Sequence, residues 1–411
     1  MPERRCIIVG AGHAASQLAT SLRQEGWTGQ ILLIGEEACL PYNRPPLSKT
    51  FLSGEKSLDD ILIRHAAAYE KMAVEFMLGV GVARIDRNAK KVILTDDTEL
   101  EYDKLALTTG SRARRVELPG SELAGVCYLR NIADVAMIQN FVAAGRQAVI
   151  VGGGYIGLET AAMLKQCGMG VTVLELASRV MNRVTAPEVS AFYTRVHREE
   201  GVTIVTDVAV SGFEGTTAVQ AVNCADGRTF TADLVVMGIG VVPNVELAQA
   251  AGLQVDNGIL VDGHGRSSDP DIVAAGDCTR HYNPGYQAML RLESVQNAVD
   301  QAKVAAATLC ENPKEYNALP WFWSDQFDVK LQIAGISSGY DALVIRGDIE
   351  QGRKFAAFYL NAGHVIAVDA VNSPLDFLQG KRLIIDKIPV NLDDLANAQI
   401  PVKALLDAVS G

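Results

Sequence analysis

Two glycine-rich turns are the segments of this sequence best suited to bind a nucleotide. Each follows an apolar run, the first over residues 10–15 (GAGHAA) and the second over residues 152–157 (GGGYIG). Such a turn needs a first glycine for the tight bend, a second for close approach of a pyrophosphate, and a small third residue for helix packing. The residues in these positions are Gly10, Gly12 and Ala15 in the first turn, and Gly152, Gly154 and Gly157 in the second. The N–H groups at the start of a following helix would face the phosphates.

An acidic residue ends the apolar segment that follows each turn. Glu36 closes QILLIGE, and Glu175 closes GVTVLE. A carboxylate at this position accepts the hydroxyls of an adenosine ribose and repels a 2′-phosphate, so Glu175 favours NADH over NADPH. Arg179 and Arg183 follow closely, and either could instead attract a phosphate.

The turns require parallel strands and helices to hold them. Apolar segments of strand length alternate with helix-like segments, which predicts an α/β fold of doubly wound parallel sheets. Further apolar strands end in small residues, at Thr108-Thr109-Gly110, Gly238-Ile239-Gly240 and Gly276-Asp277. Their order along the chain predicts that one dinucleotide-binding domain is inserted into another.

The predicted domain boundaries follow from this nesting. The outer domain covers residues 1–115 and 245–320, and the inner domain covers residues 116–244. After Pro320 the sequence changes to short β-rich runs, which predict a C-terminal α+β domain over residues 321–411.

Other segments place charged or aromatic groups near these sites. LPYNRPPLSK carries Arg44 and Lys49, with a helix expected after its prolines, and the two cations are either directed inward or solvated. Asp277 follows a strand end, where ligands bind in open sheets, although it could simply cap a helix. A helix beginning near Val295 would direct its N-terminal amides at a developing anion. In PWFWSDQ, Trp323 either packs in a core or lines a cofactor or docking surface.

Composition excludes several classes of protein. The 411 residues carry a net charge of −11, which disfavours a bulk nucleic-acid binder. The seven cysteines include no CxxC or CxxxxC pair, which argues against a zinc framework and against a dithiol reductase, and favours the reducing cytoplasm. The sequence suggests no signal peptide, membrane span or metal site.

Several motifs together resemble one known family. YNRPPLSK, GGGYIGLE, RVTAPEVSAFY, AAGDC and PWFWSDQ are similar, in order and spacing, to segments of the FAD-dependent ferredoxin reductases of oxygenase systems. The resemblance covers essentially the whole chain. It implies a glutathione-reductase-like architecture, with an FAD domain, an NAD domain and a C-terminal interface domain.

The resemblance also implies the roles of particular residues. The FAD site would comprise Gly10, Gly12, Ala14, Ala15, Glu36, Arg44, Lys49, Val82, Arg130, Asp277, Val295, Gln296 and Trp323. The NADH site would comprise Gly152, Gly154, Tyr155, Ile156, Gly157, Glu159, Glu175, Gly238 and Gly240. Lys49 and Glu159 would form a charged pair beside the flavin.

The expected reaction is electron transfer from NADH through FAD to a separate carrier. Because the sequence has no thiol pair or iron–sulfur ligand spacing of its own, a [2Fe–2S] ferredoxin is the expected acceptor. It would serve a cytochrome P450 or a ring-hydroxylating dioxygenase. A local basic patch could steer an acidic ferredoxin, with candidate residues Arg291, Lys303, Lys330 and Lys403, and Trp321 or Trp323 could lie on the electron exit.

Three alternatives use the same fold. An NADH oxidase or peroxidase would need a catalytic cysteine, for which Cys39 is the nearest candidate. A rubredoxin reductase would differ only in its carrier. A non-catalytic NADH-binding signalling protein of the apoptosis-inducing-factor type would share the fold without the turnover. The expected oligomeric state is a monomer or a weak dimer.

Overall fold

The computed structural model describes residues 4–407 and divides into two compact units. The first unit contains residues 4–43, 57–112 and 241–320. The second contains residues 44–56, 113–240 and 321–407. The chain therefore leaves and re-enters the first unit twice.

The first unit is built on a five-stranded parallel sheet. Its strands, in spatial order, are Ile272–Ala274, Lys104–Leu107, Arg5–Val9, Gln30–Gly35 and Val74–Leu78. Strands Arg5–Val9 and Gln30–Gly35 are almost wholly buried, because helices cover a parallel sheet on its faces. The helices of this unit are His13–Gln24, Leu58–Ile61, Ala66–Lys71, Glu246–Ala250 and Val295–Leu309.

Two small three-stranded sheets complete the first unit. One consists of Val82–Asp86, Lys91–Leu94 and Glu99–Glu101, and the other of Ile259–Val261, Thr279–Asn283 and Ala288–Leu290. The helices His13–Gln24 and Val295–Leu309 pack against each other through alanines and leucines, including Ala15, Leu18 and Ala302. This contact places the starts of both helices in the same region of the unit.

The second unit contains another five-stranded parallel sheet. Its strands, in spatial order, are Val202–Val205, Gly170–Leu174, Gln147–Val151, Leu234–Met237 and Val126–Tyr128. A three-stranded antiparallel sheet accompanies it, formed by Val210–Gly215, Val219–Cys224 and Thr229–Thr231. The helices in this part are Ile132–Gln139, Tyr155–Gln166 and Pro187–Glu199.

The C-terminal part of the second unit is an antiparallel sheet with helices. The strands are ordered Trp321–Gln326, Val329–Gly335, His364–Val371, Lys354–Asn361 and Ala342–Asp348. The helices are Pro374–Ile385, Leu392–Ala396 and Val402–Asp407. No helix within residues 4–407 is long and apolar enough to cross a bilayer. The two remaining strands of the described residues are short, Ser111–Ala113 and Val241–Pro243.

The α/β fold with two doubly wound sheets is confirmed, but one local prediction was wrong. The helix expected after the prolines of YNRPPLSK is instead a single 3₁₀ turn, Pro45–Ser48, which begins at the prolines themselves. Proline at the first helical position has a suitable φ and no N–H to satisfy, so the turn starts there. The three-domain division stays a prediction, and its termini at residues 1–3 and 408–411 lie outside the described residues.

Candidate functional site

The first glycine turn leaves an open space beside a helix start. Gly10 has a φ of +107°, and a Cβ there would overlap the carbonyl of Thr108. Gly12 is the N-cap of His13–Gln24, no side chain caps that helix, and a Cβ on Gly12 would meet nothing within 4 Å. The turn is therefore held by a neighbouring strand on one side and open on the other, as a pyrophosphate site requires.

Glu36, the acid that ends the segment after the first glycine turn, lies close to the start of strand Val82–Asp86. Glu36 follows the strand Gln30–Gly35 and is exposed. Its carboxylate lies 3.2 Å from the position that a Cβ on Gly81 would occupy, next to Val82. Glu36 therefore lies against Gly81, the residue that precedes Val82 in the chain.

Asp277 is fixed by a residue that the sequence did not single out. The buried Ser111 hydroxyl donates to the Asp277 carboxylate at 2.8 Å. Gln301 Oε1 accepts from the backbone N–H of the preceding Gly276 at 2.9 Å and so anchors the same turn. A Cβ on Gly276 would lie 3.4 Å from Ala14 Cβ, so this turn lies against the first glycine helix.

The helix predicted to begin near Val295 begins at that residue. Ser294 caps it by accepting from the N–H of Asn297. Val295 is half-buried, whereas the Gln296 side chain is buried and its amide donates to Asp300 at 2.7 Å. The first backbone amides of this helix belong to the residues predicted to face the flavin.

The second glycine turn has the same construction. Gly152 has a φ of +107°, and a Cβ there would lie 2.5 Å from the carbonyl oxygen of Gly238. Gly157 packs against the same turn, while a Cβ on Gly154, the N-cap of Tyr155–Gln166, would meet nothing within 4 Å. The predicted glycines of the second site therefore lie together around one open cradle, with Gly240 two residues beyond Gly238.

Glu175 is bound to the second turn itself. Its carboxylate accepts from the N–H of Gly153 at 2.6 Å and from the N–H of Ala177 at 2.8 Å. Arg179 instead donates to the carbonyls of Asn182 and Thr185 and to a serine hydroxyl. Arg179 is thus held by its own loop, and of the two nearby arginines only Arg183 has an exposed side chain.

The predicted Lys49–Glu159 pair forms within the second unit. Lys49 Nζ lies 3.0 Å from Glu159 Oε1 and 3.8 Å from Asp325 Oδ2. The Lys49 side chain is 17% exposed and that of Glu159 is 6% exposed, so neither is a solvated surface charge. Two serines that the sequence did not single out also donate to Glu159, Ser48 at 2.7 Å and Ser324 at 2.6 Å.

Arg44 and Tyr155 also point away from bulk solvent. Arg44 Nη1 donates to the carbonyl of Arg130 at 2.7 Å, which joins two residues predicted for FAD. The Tyr155 ring lies 4.8 Å from that of Phe322, and burial, chiefly, raises the pKa of its hydroxyl well above the usual range. The neighbouring Ile156 side chain is 43% exposed, as a nucleotide-facing residue can be.

Strand Trp321–Gln326 carries the tryptophans of PWFWSDQ. The rings of Trp321 and Trp323 are 5.6 Å apart and both are half-buried. Trp321 also contacts Phe377, and Lys381 lies over its ring. The two tryptophans therefore form a partly accessible aromatic pair, rather than a fully buried core.

The candidate docking cations differ in availability. Lys330 and Lys403 are exposed. Lys303 is exposed but pairs with Asp300 at 2.9 Å. Arg291 is only 17% exposed and pairs with Glu293, which makes it the weakest member of the proposed patch.

The cysteines form no dithiol among the described residues, in which all seven lie. None of them is in a disulfide bond, and Cys6, Cys127, Cys224 and Cys278 are buried. Cys39, the candidate for a peroxidase, is half-buried in the loop after strand Gln30–Gly35.

The two glycine cradles, each with an acid at the end of the following strand, have the arrangement typical of proteins with two dinucleotide sites. Comparison with known families gives the relationship directly. The chain belongs to the pyridine nucleotide-disulphide oxidoreductase family, whose model matches residues 4–302, and residues 321–406 match the reductase C-terminal family.

Individual relatives match over nearly the whole chain. Putidaredoxin reductase of Pseudomonas putida is 44% identical, with 98% of this chain and 96% of the relative covered. The ferredoxin–NAD(+) reductase component of the anthranilate 1,2-dioxygenase system of Burkholderia cepacia is 40% identical, with 97% and 98% covered. The solved covalent putidaredoxin reductase–putidaredoxin complex contains a chain with a TM-score of 0.96, 43% identity and 99% coverage of both chains.

Proposed function

We propose that this protein is an FAD-dependent NADH:ferredoxin reductase that supplies a [2Fe–2S] ferredoxin of an oxygenase system. The observation that carries the proposal is the full-length similarity to such reductases, one of them solved in covalent complex with its carrier. The oxygenase would be a cytochrome P450 or a ring-hydroxylating dioxygenase. The free thiols are consistent with a cytoplasmic location.

The first cradle is proposed to hold FAD. The open space beside Gly12, the uncapped helix start and the exposed carboxylate of Glu36 fit a pyrophosphate and a ribose. The proposed FAD residues are Gly10, Gly12, Ala14, Ala15, Glu36, Arg44, Lys49, Val82, Arg130, Asp277, Val295, Gln296 and Trp323. Of this set, Arg130 and Trp323 lie outside the proposed FAD domain over residues 1–115 and 245–320.

The second cradle is proposed to hold NADH within the domain over residues 116–244. The open space beside Gly154 fits the pyrophosphate, and Glu175 fits the adenosine ribose. The proposed residues are Gly152, Gly154, Tyr155, Ile156, Gly157, Glu159, Glu175, Gly238 and Gly240. Because Arg179 is held by backbone carbonyls, the negative charge of Glu175 favours NADH.

FAD, held by the first cradle, would supply the chemistry of hydride acceptance from NADH and single-electron transfer to the carrier. The protein would hold and orient both nucleotides. Lys49 would supply a positive charge to the bound flavin, and Glu159, 3.0 Å from Lys49 Nζ, balances that charge. The backbone amides at Val295 and Gln296, at the start of helix Val295–Leu309, would stabilise negative charge on the bound flavin.

Anaerobic stopped-flow spectroscopy tests this function. The purified protein is mixed with NADH or NADPH and then with a [2Fe–2S] ferredoxin. Fast bleaching of the flavin by NADH, followed by reoxidation as the ferredoxin bleaches, is the expected result. Rapid NADH consumption with oxygen or peroxide alone would identify an oxidase or peroxidase. Transfer only to rubredoxin would identify a rubredoxin reductase, and slow reduction without transfer to any carrier would favour a signalling role.

Replacing Gly154 with alanine is expected to weaken NADH binding about tenfold, equivalent to ~1.4 kcal/mol. The added methyl group would enter the space that the pyrophosphate needs, and nothing in the protein lies there to be displaced. The measurement is calorimetric titration with NAD⁺. The matched variant Gly12→Ala should instead weaken FAD retention. An equal loss of FAD in both variants would contradict the assignment of two separate cradles.

Replacing Glu175 with glutamine is expected to reduce the preference for NADH over NADPH. Each carboxylate oxygen accepts one backbone N–H, from Gly153 and from Ala177, so the amide keeps one of these two bonds and loses the other. The substitution also removes the negative charge that repels a 2′-phosphate. The measurement is kcat/KM for both nucleotides, and the ratio should fall about tenfold, ~1.4 kcal/mol. Arg183→Gln is the control for a phosphate-attracting role, and a larger change in that variant would overturn the assignment.

A further inference from the structure

The Glu159 carboxylate is the end of a buried hydrogen-bond chain. Ser324 Oγ donates to Glu159 Oε1 at 2.6 Å, and Gln326 Nε2 donates to Ser324 Oγ at 3.1 Å. Gln326 Oε1 lies 2.8 Å from His197 Nε2. Ser324, Gln326 and His197 are each no more than 1% exposed, so solvent does not compete for these bonds.

The direction of the chain follows from its members. Because an ionised carboxylate only accepts, the Ser324 hydroxyl hydrogen points at Glu159 and its oxygen is left to accept from Gln326. The Gln326 carbonyl oxygen must then accept from His197, which puts the imidazole hydrogen on Nε2. His197 Nδ1 is buried without a hydrogen-bond partner within residues 4–407, and burial lowers the pKa of this histidine. A neutral His197 with one defined tautomer is consistent with both facts.

The residues of this hydrogen-bond chain come from one strand and one helix of the second unit. Ser324 and Gln326 are two residues apart on strand Trp321–Gln326, and therefore share a face of that strand. His197 is near the end of helix Pro187–Glu199. Ser48, the other hydroxyl donor, belongs to the 3₁₀ turn that precedes Lys49.

This arrangement gives the two charges of the pair unequal freedom. Glu159 has two neutral hydroxyl donors besides Lys49, so its charge stays satisfied when the lysine shifts. Lys49 has a second carboxylate, Asp325, at 3.8 Å. Glu159 is thus the fixed member of the pair and Lys49 the movable one.

We propose that Ser324, held by Gln326 and His197, is a positioning residue that anchors Glu159 and so leaves Lys49 free to respond to charge on the flavin. This inference rests on the proposed function. Without the Ser324 hydroxyl, the carboxylate depends more on Lys49 and binds it more tightly. The positive charge is then less available to the flavin, which makes reduction of the flavin less favourable.

The test is a double-mutant cycle of Ser324→Ala and Lys49→Met in the FAD-loaded protein. Three quantities are measured: the midpoint potential of the bound flavin by dye-coupled titration, the limiting rate of flavin reduction, and the Kd for NAD⁺. Ser324→Ala alone should lower the potential and slow reduction about fivefold, with Kd unchanged. In the Lys49→Met background the same change should have little effect, because residues that act through one pair are not additive.

Two further variants separate positioning from packing. Ser373 is also buried, and its hydroxyl donates to Asp376 at 2.6 Å, so Ser373→Ala removes a similar bond elsewhere in the same unit. It should leave the flavin potential unchanged. Gln326→Met keeps Ser324 but removes its support, and should shift the potential in the same direction by a smaller amount, which preserves the test if Ser324→Ala does not fold.

The experiments distinguish a failure of the positioning role of Ser324 from a failure of the proposed function. If the wild-type protein does not accept electrons from NADH and pass them to ferredoxin, the proposed function is wrong. If it does, and Ser324→Ala has the same effect with and without Lys49, the positioning role is overturned. An equal potential shift in Ser373→Ala would overturn it as well.

Discussion

Replacing Lys49 with methionine is expected to slow reduction of the bound FAD by saturating NADH about a hundredfold. Methionine keeps most of the length of the side chain and removes the charge, so the change tests electrostatics more than packing. The Lys49 ammonium lies in a largely buried pair with Glu159, where solvent screens it weakly. A preorganised charge in such an environment stabilises developing charge more strongly than a solvated one does.

The measurement is the limiting rate in anaerobic stopped-flow, with the Kd for NAD⁺ measured alongside. The Kd should change little, because the cradle around Gly154 is intact. Lys354 is an exposed lysine of the same unit, and Lys354→Met is the matched control that should reduce at the normal rate. An unchanged limiting rate in Lys49→Met would remove Lys49 from the mechanism, although NADH and FAD binding could still stand.

Replacing Asp369 with asparagine is expected to stabilise the protein at alkaline pH. Asp369 is fully buried on strand His364–Val371, and burial raises the pKa of its carboxyl to about 7, although the hydrogen bond from Tyr359 at 2.6 Å opposes this. The folded state therefore keeps a proton that the unfolded state loses near pH 4. Stability falls as pH rises between these two values, by up to ~4 kcal/mol for a shift of about three units.

Asparagine cannot ionise and can still accept from Tyr359, so the variant avoids this loss. The Tm of Asp369→Asn minus that of the wild type should widen by about 5 °C between pH 5 and pH 8. Differential scanning calorimetry across that range measures it. Asp97 is exposed in a turn, and Asp97→Asn is the matched control for the chemical change from carboxylate to amide. A constant offset for Asp369→Asn would show that this carboxyl does not titrate in the folded protein.

Short sequence patterns predicted the strands and helices that carry the two glycine cradles. Apolar runs of strand length predict strands, and a glycine turn after each of them predicts the start of a helix. The strands Arg5–Val9 and Gln147–Val151, and the helices that begin at His13 and Tyr155, agree with those signals. The family, the fold class and the oxidoreductase class are confirmed, whereas the residues assigned to the two cofactor sites stay predictions.

By itself, the sequence determined what depends on a few neighbouring residues: the glycine turns, the acids that end the next strands, and the family motifs. The tertiary structure alone decided which side chains complete the site. Ser324 is distant in sequence from Glu159, and only the packing of strand Trp321–Gln326 against helix Tyr155–Gln166 joins them. From the sequence alone Arg179 could bind a phosphate, but in the structure its guanidinium donates to backbone carbonyls of its own loop. Burial and hydrogen-bond partners are properties of long-range contacts, and a sequence pattern records those contacts only indirectly.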